Sequence, residues 1–183
     1  MLHEDQLVRP WGTVSMDFWA PPAEAPATEP PTPGDAEPEA YRERLTALSA
    51  RLTASPQTFV SLQLAAVEAR ELASEAGAAL GTTHPYTIGA HDLQGWIAHV
   101  QGRHGDAARW HLHTAGLHAT ASGVTHQSTV DTARRAYGMW QLITDPAEQA
   151  AVGQALMPML TAVLGAKSAE AAAVAASTAR RGA

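Results

Sequence analysis

An eight-residue frame that occurs twice, 42 positions apart, with four identities and a similar last residue, restricts this chain more than any other feature. Gly81-Thr82-Thr83-His84-Pro85-Tyr86-Thr87-Ile88 returns as Gly123-Val124-Thr125-His126-Gln127-Ser128-Thr129-Val130. The common frame is Gly-x-Thr-His-x-x-Thr followed by a β-branched residue. Each copy has the chemistry of a junction between two helices. Glycine ends the first helix, a threonine is available to cap the next, and the second threonine falls in its first turn.

The segments around these junctions carry the helical period. Tyr41, Leu45, Leu48 and Leu52 recur at spacings of four, three and four. Ser55-Pro56 then interrupts, with Ser55 in the N-cap place and Pro56 in the first turn of a second helix. Its stripe is Phe59, Leu62, Ala66, Ala69, Ala73, Ala76 and Leu80. His84-Pro85 opens a third helix with Tyr86, Ala90, Leu93, Ile97 and Val100 on one face. After the turn at Gly102 and Gly105, a fourth face is formed by Ala107, Trp110, Thr114, Leu117 and Ala121. Three more helices fit residues 127–143, 146–164 and 167–181. Pro158 should kink or divide the sixth. The short connections make sequential neighbours antiparallel hairpins.

Composition supports an all-α fold. Hydrophobic residues are 45% of the chain but aromatics only 5%, because alanine, the best helix former, supplies much of the apolar content. The absence of cysteine excludes disulfides, thiolate metal sites and a cysteine nucleophile. The start of the chain has no apolar h-region, and the longest apolar stretch, near residues 155–166, is too short to span a bilayer. A soluble, cytoplasmic protein without membrane contact is expected.

The formal charge of −6 is unevenly placed. Residues 1–40 hold eight acidic residues and one arginine, whereas 41–183 hold eleven basic and ten acidic residues. A nearly neutral body offers no electrostatic footprint for nucleic acid. Seven of the twelve prolines fall between Pro21 and Pro38, so residues 20–40 read as a disordered acidic linker. Upstream of it, Val8, Trp11, Val14, Met16, Phe18 and Trp19 crowd into a short apolar motif at residues 8–19. Tryptophans on a tether are costly to leave in water. Either they pack back on the helical body, or Trp11, Phe18 and Trp19 dock into a partner as a linear motif. The chain thus divides into a tail, 1–40, and a helical domain, 41–183.

Residues 80–121 resemble the kinesin-light-chain type of tetratricopeptide repeat, which is frequent in actinobacterial proteins. The resemblance rests on Leu80-Gly81-Thr82-Thr83-His84-Pro85-Tyr86-Thr87-Ile88, then Gln101-Gly102-Arg103 and Ala107. It is weaker over 122–164, where Gln127 replaces the proline and Thr144-Asp145-Pro146 replaces the Gly-Arg turn. The family's paired asparagines are absent, their places held by Asp92 and Leu93 in one copy and by Arg134 and Arg135 in the other. The resemblance implies helical hairpins stacked as a short right-handed solenoid, with the last helix as a cap. It also implies a concave face, lined by the first helix of each pair, that accepts peptides. Asp92 and Arg134 would face such a peptide, with His91, His99 and Arg135 nearby. A solenoid this short could complete itself by dimerising. The implied function is non-catalytic: an adaptor, chaperone or regulatory subunit binding another protein or peptide, or else a structural subunit of a larger assembly.

Seven of the nine histidines lie between His84 and His118, which invites a test for metal chemistry. His104, His111 and His118 are seven apart, so neighbours on the helix stand roughly 10 Å apart along its axis. No pair has the i, i+4 spacing of a shared ion, and no His-Glu-x-x-His pattern occurs. A metal phosphohydrolase set could be assembled from His84, His91, Asp92 and Asp131, but a His-Asp dipeptide arises easily in a histidine-rich helix. No phosphate loop, nucleophile elbow or helix-turn-helix is present. The expectation is no catalytic residue, no cofactor and no metal.

Overall fold

The computed structural model describes residues 6–9, 12–15, 38–54 and 57–179. Among them the backbone forms two short strands, β1 (Gln6–Arg9) and β2 (Gly12–Ser15), and seven helices. These are α1 (Pro38–Ala54), α2 (Phe59–Leu80), α3 (Pro85–Val100), α4 (His104–Ser122), α5 (Gln127–Gln141), α6 (Pro146–Leu164) and α7 (Ala169–Ala179). The body is therefore all-helical. β1 and β2 pair antiparallel, Gln6 opposite Ser15 and Arg9 opposite Gly12. Leu7, Val8, Thr13 and Val14 provide the β-favouring residues, a pairing that the sequence reading of a tail without regular structure did not contain. Trp11, Phe18 and Trp19 lie outside the described residues, as does most of the expected linker. Its last three residues are helical, since α1 begins at Pro38, a residue suited to a first helical turn.

The junctions repeat in atomic detail. Gly81 and Gly123 have φ 97° and 96°, in the region where only glycine is unstrained. Each donates its N–H to the carbonyl four residues back, Gly77 and Ala119, at 3.0 and 2.9 Å. Their own carbonyls accept from the N–H of His84 and His126 at 3.3 Å in both copies. The cap is the histidine, not a threonine. The Nδ1 of His84 accepts from Tyr86 N–H and that of His126 from Ser128 N–H, both at 3.3 Å. Thr87 and Thr129 are buried, and each hydroxyl donates to the glycine carbonyl six residues back at 2.9 Å.

A third copy begins 42 residues further on. Gly165 has φ 90°, bonds to Thr161 O at 3.1 Å and accepts from Ser168 N–H at 3.0 Å. The Oγ of Ser168 takes the capping role, accepting from Ala171 N–H at 3.2 Å. Only the glycine of the frame survives in this copy, so the sequence reading missed it.

Each helix packs on the one that follows, and α1 also meets α3 while α4 meets α6. Ion pairs from Arg44 to Glu75 and from Arg51 to Glu68 show α1 and α2 running antiparallel. Leu48, Leu52, Leu62, Ala69 and Ile97 form one apolar cluster under α1, α2 and α3. A larger one joins α4 to α7 through Leu112, Trp140, Leu156, Leu160 and Val174. Within it the indole N–H of Trp140 donates to Gln149 O at 2.8 Å.

Several expectations shift by a residue or two. The N-cap of α2 is Thr58, whose hydroxyl accepts from Ser61 N–H at 3.1 Å while Ser61 Oγ accepts from Thr58 N–H at 2.9 Å. That reciprocal box fills the role expected of Ser55, which with Pro56 lies outside the described residues. The buried face of α2 is Leu62, Ala65, Ala69, Leu72, Ala73 and Ala76, and Phe59 is 72% exposed. On α4 the buried face turns toward Ala108, His111, Leu112 and Ala115, leaving Trp110 and Leu117 half-buried and Ala121 exposed. α6 passes undivided through Pro158. Pro158 and Gln154, whose carbonyl loses its helical donor, are both exposed, so water can satisfy that carbonyl.

Candidate functional site

The α3–α4 contact, where the two apolar clusters adjoin, is polar. His111 of α4 is 4% exposed and reaches across to α3, where Gly95 leaves room for its ring. Its Nδ1 lies 3.1 Å from Asp92 Oδ1. A carboxylate only accepts, so Nδ1 carries the proton. The other carboxylate oxygen, Oδ2, accepts from Arg135 of α5 at 2.5 Å. Asp92 thereby ties three helices together. Burial pulls its pKa upward, but the His111 hydrogen bond and the Arg135 charge outweigh that and hold it below the usual carboxylate value.

Arg134 behaves differently from its neighbour. Its Nε pairs with Glu170 of α7 at 3.4 Å, and its side chain is 56% exposed. The charges at positions 92 and 134 are thus spent on other helices, Asp92 of α3 on Arg135 of α5 and Arg134 of α5 on Glu170 of α7. The expectation that Asp92 and Arg134 stand open to a peptide is modified accordingly. Asp92 is engaged at both oxygens, while Arg134 is held by one long contact.

His91 points elsewhere. It stacks on Trp110 at a centroid distance of 5.5 Å and meets His113 edge-on at 4.9 Å. The buried side chain of Gln94 lies 3.3 Å from His91 Nδ1. Burial, reinforced by His113, lowers the His91 pKa to about 4, so the ring is neutral at pH 7. Burial also lowers the His113 pKa. His99 pairs with His104 at the α3–α4 turn, Nδ1 to Nδ1 at 3.3 Å, which requires one ring to donate and the other to accept. Burial first, then the neighbouring His104, lowers the His99 pKa. The described candidates therefore divide among three places rather than lining one face.

Two grooves flank the polar contact. One, about 320 Å³, lies where α3, α4 and α5 converge and is lined by Ile88, Asp92, His118, Ser122 and Ser128. The other, about 360 Å³, lies beside α2 and is lined by Arg70, Ser74, His91, Gln94 and Trp110. His91 and Asp92, adjacent in sequence, belong to different grooves. Burial lowers the His118 pKa against the opposing pull of Asp92.

The phosphohydrolase set is not assembled. His84 caps α3, and Asp131 accepts from Gln127 Nε2 at 2.7 Å. Among the described residues no group of three or more His, Asp or Glu side chains is placed to hold a metal ion. Nor is any helix there long and apolar enough to cross a membrane. His111, the centre of the contact, enters the sequence reading only as one of three histidines spaced seven apart. Its partner Asp92 is 19 residues away and no spacing rule connects them. Compared with known proteins, the chain matches no protein-family model and no curated protein.

Proposed function

We propose that the helical body is a short tetratricopeptide-like solenoid that binds a peptide or partner protein without catalysis. The observation that carries this reading is the 42-residue recurrence of one junction geometry at Gly81, Gly123 and Gly165, built from the same backbone bonds each time. One supersecondary unit repeated at a fixed interval is how stacked helical pairs share a continuous core, since no single pair buries its apolar face alone. α3, α5 and α7 are then the first helices of successive units, and the ion pairs from Asp92 to Arg135 and Arg134 to Glu170 lock their spacing.

In this reading the peptide enters the groove between α3, α4 and α5. Ile88 offers an apolar wall, while His118 and Ser128 offer hydrogen bonds beside the fixed carboxylate of Asp92. Arg135 of α5 adds a cation through its bond to Asp92. Affinity capture with residues 1–183 and 38–183 as baits tests the assignment. A partner held by both identifies the helical body as the binding surface. Retention by the full chain alone would transfer the role to the tail motif around Trp11, Phe18 and Trp19, and no partner on either bait would contradict the reading.

A further inference from the structure

The outer face of α2 is apolar where it meets water. Phe59, Val60, Leu64 and Val67 are 72%, 66%, 68% and 48% exposed, within little more than two helical turns. Leu64 also borders a cleft of about 300 Å³ between α1 and α2, walled by Leu48, Leu52 and Ala65 and edged by polar side chains that include the Arg51–Glu68 ion pair. Scattered exposed leucines need no explanation, but a contiguous stripe beside a cleft with an apolar floor marks a docking surface. The cleft has room for one large aromatic side chain.

We propose that the occupant is this chain's own Phe18-Trp19 segment, the indole of Trp19 entering the α1–α2 cleft and Phe18 covering Val60 and Val67. This goes beyond the partner groove, lies on different helices, and stands whether or not that groove binds anything. Three observations select the occupant. Phe18 and Trp19 are the apolar residues nearest in sequence to the body on its N-terminal side, with no large apolar side chain in residues 20–37. The geometry also permits it. α1 runs antiparallel to α2, with Arg44 against Glu75 and Arg51 against Glu68, so Leu64 stands near the end of α1 remote from Pro38. That distance is about 25 Å at 1.5 Å per helical residue.

The eighteen residues from Ala20 to Glu37 bridge it easily. They reach about 56 Å if fully extended as polyproline and have a root-mean-square span of about 23 Å if flexible. A tether whose span matches the distance gives an effective concentration in the millimolar range, so a contact with a dissociation constant of roughly 0.1 mM would be closed about 90% of the time. The third observation is charge. The linker is acidic, and Arg70 of α2, exposed next to the stripe, makes no hydrogen bond or ion pair among the described residues.

The absence of cysteine makes a direct test available in the full chain. D17C and E71C place one thiol beside the motif and one on the exposed face of α2, a turn beyond Val67. Disulfide formation requires the two Cα atoms to come within about 7 Å. Docking brings the intramolecular bond at least roughly tenfold faster in this pair than in the same pair carrying W19S and L64D, with circular dichroism confirming that both are folded. Equal rates in the two backgrounds would overturn the proposal. A disulfide that forms between molecules, faster as the protein is concentrated, would also overturn it and assign the stripe to a second copy.

Discussion

Gly95 is the position where a single added carbon tests the α3–α4 contact. A Cβ there would lie 2.9 Å from His111 Cε1, 3.0 Å from Nε2 and 3.1 Å from Nδ1. The ring is buried and bonded to Asp92, so it has no free rotamer to retreat to. Overpacking of this kind costs about 1–3 kcal/mol. Replacing glycine by alanine inside a helix returns about 1 kcal/mol of propensity, leaving G95A between neutral and about 2 kcal/mol destabilised. H111A removes the ring and one partner of Asp92, at a cost of roughly 2–3 kcal/mol. In the double variant the new methyl occupies vacated space and only the propensity gain remains. G95A should therefore differ between backgrounds, neutral to destabilising in the parent and stabilising in H111A by about 1 kcal/mol. Urea denaturation of the four proteins measures this directly, provided the slope m is constant. If G95A destabilises both backgrounds equally, the ring is not what Gly95 accommodates, and the three-helix tie through His111 is wrong.

Other expectations follow from the same geometry. The folded chain keeps His91 neutral down to a pKa of about 4, whereas the unfolded chain protonates it from about pH 6.5 downward. Stability should be flat above pH 7 and fall between pH 6.5 and 4, by roughly 2–3 kcal/mol for this ring after allowing for its partial exposure. His99, His113 and His118, all lowered, act in the same direction. Urea titrations at stepped pH with the parent and H91F check it, the variant losing part of the slope. H84A and H126A should each cost about 1 kcal/mol through loss of a helix cap, and nearly add when combined. Residues 38–183 alone should give a strongly helical circular dichroism spectrum with a cooperative thermal transition, and a weakly helical spectrum would contradict an independent body.

What the sequence made legible was mostly local. The helix order and the two matching junctions follow from periodicity and from glycine at positive φ, both properties of a few adjacent residues. The junction at Gly165 escaped because Ser168 replaces histidine and the threonine is gone, although serine serves the same capping chemistry. The rotation of the α2 and α4 faces was illegible for a different reason. In helices this rich in alanine, small residues fit either face, and the buried side is decided by which large residues, such as Leu62, Leu72 and Leu112, find partners on other helices. The polar tie is the clearest failure of local reasoning. The resemblance implies that Asp92 faces a peptide with Arg135 nearby, yet the two bond to each other across 43 residues, and His111 completes the set from a third helix.

The central claim is that the groove between α3, α4 and α5 binds a protein segment. Ser128 lines that groove and its side chain is half-buried, so S128W fills it without touching the stripe on α2. The decisive measurement is a calorimetric titration of a captured partner into the parent, S128W and L64D, all shown to be folded. The account expects at least a tenfold loss of affinity in S128W and no loss in L64D. Full affinity in S128W would contradict it.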